Sequence, residues 1–223
     1  MRQLLIFLKY PTPGLVKTRL AISLGAEAAA EIARVCTELT LSRLQTFQCD
    51  ATLYVDPPQQ HAQLREWLGP TWRMQPQAGV TLGDRLRDAT DRAFAQGAKR
   101  VVVIGTDSPW LQPVDIEKAW AALSSTDVVI GPAADGGYYL IGLSQPAPCI
   151  FSDVAWSSSA VYVQTQQNTQ ALRLTLKVLP LGYDIDRMED VMRFIEDERR
   201  RAVVPREVER MDALMQRRPT CRS

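Results

Sequence analysis

The chain is short of the residues on which several catalytic chemistries depend. It has one histidine, His61, set in a polar stretch. No Ser-His-Asp or Cys-His arrangement can be assembled without it, and a surface position is expected. The four cysteines, Cys36, Cys49, Cys149 and Cys221, contain no CxxC pair. That argues against a thiolate zinc site and a disulfide framework, and suits free thiols in a reducing cytosol. No segment reaches the roughly 18 apolar residues that a membrane span needs. The N-terminal apolar run, Leu4 to Leu8, is too short for a signal-peptide core and no small-residue cleavage site follows it, so a cytoplasmic protein is expected. Charge of one sign is also lacking: 26 basic residues face 25 acidic ones. This leaves no electrostatic reason to expect a nucleic-acid or membrane-surface partner. Neither a P-loop nor a GxGxxG fingerprint is present.

What is present is a chain of 223 residues, 46% of them apolar, enough for a substantial core. Continuous apolar runs at Leu4–Leu8, Ala51–Val55, Arg100–Gly105 and Asp127–Pro132 read as buried strands. Between them lie helical patterns: one from Gly25, a short one over "QHAQLREWL", an amphipathic one over "TLGDRLRDATDRAFAQG", and one at Val114–Leu123 opened by Pro113. This alternation predicts an α/β fold with a mostly parallel sheet covered on both faces. A last strand is expected within Arg173–Leu181 and a helix over "MEDVMRFIEDERRR", whose arginine run reads as a solvated face. A C-terminal helix and frayed tail follow from about residue 203. The expected organisation is one domain over residues 1–223, and the apolar face of the last helix suits a homodimer.

Four stretches carry candidate chemistry. In "KYPTPGLVKTRL", Pro13 and Gly14 stiffen the turn after the first strand, and Lys9, Lys17 and Arg19 gather near the next helical turn. Ligands of open parallel sheets bind outside the carboxyl ends of the strands, where such cations can neutralise a diphosphate. Cations that merely face water are the alternative. In "VVVIGTDSPWL", Asp107 leaves a buried strand beside Thr106 and Ser108, well placed for a divalent cation. Here the alternative is a helix cap, which Ser108 fits better. In "LGYDIDRMEDV", Asp184 and Asp186 alternate and should point the same way, as a pair of oxygen ligands for Mg²⁺ or Mn²⁺. Asp186 could equally cap the helix starting near Met188, with Glu189 as its capping-box partner. In "GPAADGGYYLIGL", Asp135-Gly136-Gly137 suits either a plain hairpin or a close approach of backbone to a ligand. Tyr138 and Tyr139 should alternate between core and cleft. Finally, Trp156 and the hydroxyls of "AWSSS" suit sugar or base recognition, or a helix start capped by Ser157 or Ser158.

In register and over nearly the whole chain, "KYPTPGLVKTRL", "GTDSPWL", "GPAADGGYYLIGL", "AWSSSAV" and "DIDRMEDV" resemble the DUF2064 family. These are bacterial proteins of the GT-A glycosyltransferase superfamily, also described as radical-SAM/selenodomain-associated transferases or arsenosugar-biosynthesis glycosyltransferases. The resemblance implies a Rossmann-like nucleotide-diphospho-sugar transferase fold. It places Lys9, Lys17 and Arg19 against nucleotide phosphates, with Pro13, Gly14, Thr106, Gly136, Gly137, Tyr138 and Trp156 around the substrates. It assigns Asp107 and Asp186 to a divalent metal and gives Asp107 and Asp135 catalytic roles. It also favours ligand approach at Asp135-Gly136-Gly137 over a plain hairpin. Two departures stand out: Thr106-Asp107-Ser108 is not a strict DxD, and Arg187-Met188 replaces the usual Thr-Pro after Asp186.

The expected activity is metal-assisted glycosyl transfer from a nucleotide sugar to a small-molecule acceptor. Nucleotidyl transfer from a nucleoside triphosphate is the alternative, since guanylyltransferases also carry a Lys-rich first loop. The sugar-activating nucleotidyltransferases usually show G-x-G-x-R-[ML] in that loop, which "PTPGLVKTRL" lacks. A degenerate GT-A-like binding protein is the third reading.

Overall fold

A computed structural model describes residues 1–45, 47 and 49–216. Among these residues seven strands form one sheet: β1 (Arg2–Lys9), β2 (Asp50–Asp56), β3 (Arg73–Pro76), β4 (Arg100–Gly105), β5 (Val128–Pro132), β6 (Tyr138–Leu143) and β7 (Leu176–Val178). Their order is β3-β2-β1-β4-β6-β5-β7, with β6 antiparallel to both neighbours and every other pairing parallel. Among the described residues eight α-helices accompany them: α1 (Thr18–Leu24), α2 (Ala26–Leu44), α3 (His61–Leu68), α4 (Leu82–Ala95), α5 (Pro113–Ala122), α6 (Val161–Ala171) and, after the last strand, α7 (Met188–Arg199) and α8 (Arg206–Gln216). The architecture is the mixed α/β fold that the alternation of patterns implies.

The strands are apolar on both faces because helices cover both. In β1, Leu4, Ile6 and Leu8 join Ile116 and Trp120 of α5 and Leu64 of α3 in one cluster. Leu5 turns the other way, to Leu86, Ala89 and Ala93 of α4. In β4, Val102 and Ile104 follow the first set, Val101 and Val103 the second. This period-2 split accounts for the continuous apolar runs. A third cluster lies off the sheet, where α2 packs on α7 and α8 through Ile32, Val35, Phe194, Val208 and Met211.

Several expectations need correction. β3, with sequence RMQP, was not anticipated: it is a short edge strand without a β-branched residue, and its proline sits at the end where no ladder bond is lost. The last strand is confined to Leu176–Val178, well inside the expected Arg173–Leu181. The stretch after the first loop holds two helices, broken at Gly25, whose φ of 85° ends α1. The apolar side of α8, put forward as a dimer face, is spent inside the chain: Val208, Met211 and Met215 are buried against α2 and α7. The expected frayed tail, residues 217–223 with Cys221, lies outside the described residues. Cys36, Cys49 and Cys149 are free thiols. Among the described residues, no helix is long and apolar enough to cross a membrane.

β1 is an inner strand, and the sheet extends from it in both directions, to β2 and β3 on one side and to β4 and β6 on the other. That reversal puts a crevice at the carboxyl ends of β1 and β4. The loops that leave those two ends carry Lys9–Lys17 and Thr106–Asp107.

Candidate active site

Lys9 ends β1, and its ammonium folds back onto the Leu15 carbonyl oxygen at 3.0 Å. The chain then turns through Thr12–Leu15, closed by a bond from the Leu15 N–H to the Thr12 carbonyl oxygen. Gly14 takes the left-handed conformation there, with φ of 79°. Pro13 and Gly14 sit on the exposed outside of this turn, so they shape the loop and do not line the crevice.

Lys17 is the pivot. Its backbone is left-handed, with φ of 47° and ψ of 43°, unusual for a residue bearing a Cβ. The side chain is only 3% exposed, and its ammonium contacts Asp107 Oδ1 directly and lies 3.5 Å from Asp186 Oδ1. Burial opposes the charge, but the Asp107 carboxylate, with help from Asp186, holds the ammonium pKa above its ordinary value. Arg19 approaches the other Asp186 oxygen at 3.6 Å and is itself half exposed.

The acids come from two loops tied together. Asp107 follows β4, and its carbonyl oxygen accepts the Ile185 N–H at 2.8 Å. Ile185 is fully buried, so Asp184 and Asp186 on either side of it are both turned into the crevice, as their alternation implies. Ser108 Oγ donates to Asp184 Oδ1 and to the Tyr183 carbonyl oxygen. Burial, reinforced by the nearby Asp107 carboxylate, pushes the Asp184 carboxyl up to about 7.

The capping alternatives do not hold. The N-cap of α5 is Gln112, so neither Asp107 nor Ser108 caps a helix. At α7 the cap position is Arg187, and the carboxylate that accepts the Asp186 and Arg187 N–H groups is Asp190. Glu189 takes no such part, and the Asp186 side chain faces the cations instead.

Two cavities meet at this cluster. The first, about 580 Å³, runs along the strand ends past Lys9, Thr106, Asp107 and Tyr139 to Asp56, Gln77 and Arg85. The second, about 670 Å³, is lined by Arg19, Asp135, Gly137, Trp156 and Ser157–Ser159. Lys17, Tyr138, Asp184 and Asp186 border both. Thr106 is buried, with its hydroxyl accepting from Thr37 Oγ1 of α2 at 3.3 Å.

Asp135-Gly136-Gly137 closes the β5–β6 hairpin, with Asp135 Oδ1 accepting the Gly137 N–H at 2.9 Å. Close approach occurs as well, but between parts of the chain. Gly136 has φ of 90°, and a Cβ there would lie 2.2 Å from the Ser159 carbonyl oxygen. The ligand-approach reading of Gly136 is corrected accordingly. As adjacent residues of β6 the two tyrosines alternate to opposite faces of the sheet, Tyr139 in the cluster with α5 and Tyr138 in the one with α4. Tyr139 is buried on Trp110 and donates to the Pro180 carbonyl oxygen. Tyr138 packs with the α4 cluster and is the one that borders both cavities. Trp156 lies against Gly83 of α4. The segment is not a serine-capped helix start, because α6 begins at Val161 after Ala160 with no side-chain cap. His61 opens α3, away from both cavities.

Sequence reasoning missed the far end of the first cavity. Arg85 pairs with Asp56 at 3.1 Å, reaches the Gly79 carbonyl oxygen and contacts Gln77 Oε1 at 3.3 Å. Gln77 in turn donates to the carbonyl oxygens of Leu8 and Tyr54. The available signal was positional: Asp56 and Gln77 stand at the carboxyl ends of β2 and β3.

The donor set fits a divalent cation. Asp107 and Asp186 already turn oxygens onto one cation, the Lys17 ammonium, and carboxylate oxygen suits Mg²⁺ or Mn²⁺. Among the described residues, no three His, Cys, Asp or Glu side chains form a ready metal-holding group. Mg²⁺ commonly uses one or two carboxylates and completes its shell with waters and substrate phosphates.

Comparison with known proteins agrees with this geometry. Residues 40–158 match the family described as uncharacterized protein conserved in bacteria, DUF2064. A candidate nucleotide-diphospho-sugar transferase from Desulfovibrio desulfuricans G20 superposes with a TM-score of 0.87 at 32% identity, over 96% of each chain. A phosphoenolpyruvate guanylyltransferase of Sphaerobacter thermophilus is 27% identical over 178 residues, 78% of this chain and 84% of that one. Rv0371c of Mycobacterium tuberculosis H37Rv, in a complex with manganese, shares the fold at a TM-score of 0.54 and 14% identity, over 88% of this chain and 99% of that one. The fold is that of nucleotidyl- and nucleotide-sugar transferases.

Proposed function

Because the chain belongs to the DUF2064 family, we propose that it is a nucleotide-dependent transferase whose donor is a nucleotide-diphospho-sugar and whose transferred group is the glycosyl residue. One observation carries the choice. Lys9, Lys17 and Arg19 at the phosphate end are matched by Asp107, Asp186 and, above its raised pKa of about 7, Asp184. A diphosphate with one divalent cation adds no net charge to that balanced set. A triphosphate with one cation leaves negative charge uncompensated in a partly buried site, which is costly.

In this reading the first cavity takes the nucleoside, with Gln77 and Arg85 at the base end and Lys17 and Arg19 at the diphosphate. The second cavity takes the acceptor, where the Trp156 ring and the Ser157 and Ser158 hydroxyls suit a polyhydroxylated molecule. The acceptor hydroxyl forms the bond to the anomeric carbon as the bond to the diphosphate breaks. Lys17 and Arg19 bear the charge that grows on the departing nucleoside diphosphate. Asp184, at the junction of the cavities, is placed to take the hydroxyl proton, whereas Asp135 stands at the outer rim with one oxygen held by the Gly137 N–H. A divalent cation held by Asp107 and Asp186 would supply further charge stabilisation at the phosphates.

Nucleotidyl transfer is the second reading, favoured by the relative named as a phosphoenolpyruvate guanylyltransferase. A thermal-shift screen separates the two. A ligand at a hundred times its Kd stabilises by about 2.7 kcal/mol, which at this chain length is roughly 5–10 °C. The expected shift comes from a nucleotide-diphospho-sugar with Mn²⁺. Shifts from nucleoside triphosphates alone would favour nucleotidyl transfer.

A further inference from the structure

The Lys17 ammonium lies where the two proposed metal carboxylates converge, touching Asp107 and standing 3.5 Å from Asp186. It arrives there by an unusual route. The left-handed backbone at Lys17, rare for a residue with a side chain, sits immediately before α1 and carries no side-chain cap of that helix. Held elsewhere, a lysine stem would spread into solvent; here it is almost wholly covered. A residue placed at the phosphate end for anions alone would leave its ammonium open to them. This one is already spent on carboxylates, while Arg19 remains half exposed.

We propose that Lys17 is an internal stand-in for the divalent cation: it neutralises Asp107 and Asp186 in the free protein, excludes the metal, and must leave before the metal enters. The ammonium and a divalent cation draw on the same two carboxylates, and two cations brought together there repel, so each weakens the other's hold. A diphosphate arriving with the metal offers Lys17 a new anionic partner, so donor and metal bind together and metal alone binds weakly. The device keeps three crowded carboxylates from capturing free metal in an unproductive state. It rests on the reading of Asp107 and Asp186 as metal ligands.

The direct probe is Mn²⁺ alone, titrated into the full chain by electron paramagnetic resonance. Lys17→Met keeps the stem and removes the charge, and is expected to bind free Mn²⁺ at least tenfold more tightly than the wild type. Lys17→Arg, which keeps the charge, should stay within about twofold of the wild type. Equal affinity of wild type and Lys17→Met overturns the stand-in role while leaving the metal ligands intact. Absence of Mn²⁺ binding in every variant overturns the ligand assignment itself. A second measurement needs no variant: Lys17 in the wild type should resist an amine-reactive label, read by peptide mass spectrometry, and become labelled several-fold faster at saturating Mg²⁺. Unchanged protection at saturating Mg²⁺ would show that metal and ammonium coexist, and would sink the proposal.

Discussion

Gly136→Ala gives the sharpest energetic test of how the second cavity is held. The residue has φ of 90°, and a Cβ would meet the Ser159 carbonyl oxygen at 2.2 Å, its Cα at 2.5 Å and its carbonyl carbon at 2.6 Å. These are backbone atoms, which no rotamer change can move aside. Left-handed backbone at alanine costs about 1–2 kcal/mol. The displacement also strains the bond from the Tyr162 N–H to the Gly136 carbonyl oxygen, 2.8 Å long, worth about 0.5–1.5 kcal/mol. The expected loss is therefore about 1.5–3.5 kcal/mol, a fall in melting temperature of roughly 3–14 °C for a chain of this length. Gly137→Ala is the matched control: its Cβ would meet only the Asp135 side chain, at 3.2 Å, and its cost should stay below about 1 kcal/mol. Urea denaturation of both variants measures the difference. Equal stabilities would refute the argument, because the packing of Ser159 on Gly136 would then contribute nothing.

Three further outcomes are expected. Asp184 has a folded pKa of about 7 against an ordinary 3.8, so between those values the folded state binds the extra proton and stability falls as pH rises. The penalty, at most about 4 kcal/mol, is complete above the folded pKa and absent below the unfolded one. Asp184→Asn should thus gain on the wild type near pH 8 and lose that advantage near pH 4, and a gap that ignores pH in denaturation curves would contradict this. Glu198, fully buried, pairs with Arg43 at 2.5 Å, and Arg43 also donates to the Pro109 carbonyl oxygen beside the Asp107 loop. Glu198→Ala strands that guanidinium and should cost about 3–5 kcal/mol in urea; a loss under 1 kcal/mol would show that water relieves it. Arg19→Ala should leave folding nearly unchanged yet weaken binding of a nucleotide-diphospho-sugar by about 1.5–3 kcal/mol in calorimetry, and unaltered affinity would remove Arg19 from the phosphate end.

The sheet was legible where its strands are buried on both faces, as in Leu4–Leu8 and Arg100–Gly105, because double burial writes an unbroken apolar run. The edge strand Arg73–Pro76 left no such trace, being short, polar and half exposed. Asp107 was legible as a strand-end carboxylate, and Asp184 and Asp186 as an alternating pair in an extended segment. Their union with Lys17 was not, since it depends on the Ile185 N–H reaching the Asp107 carbonyl oxygen across the crevice. Gly136 was legible as a glycine that something must approach. That the approaching group is Ser159 is a tertiary fact, invisible to turn chemistry. The Asp56–Gln77–Arg85 end stayed hidden because its members come from three separate elements, the end of β2, the residue after β3 and the first turn of α4, each unremarked alone.

The central claim is that the diphosphate cluster serves glycosyl transfer. The most direct measurement is phosphorus NMR of the purified protein with Mg²⁺ and a panel of nucleotide-diphospho-sugars and, separately, nucleoside triphosphates. The account predicts slow release of a nucleoside diphosphate from a nucleotide-diphospho-sugar, by transfer to an added polyol or to water, and its loss in Asp107→Asn. Pyrophosphate release from a nucleoside triphosphate, with the diphospho-sugars left intact, would contradict it.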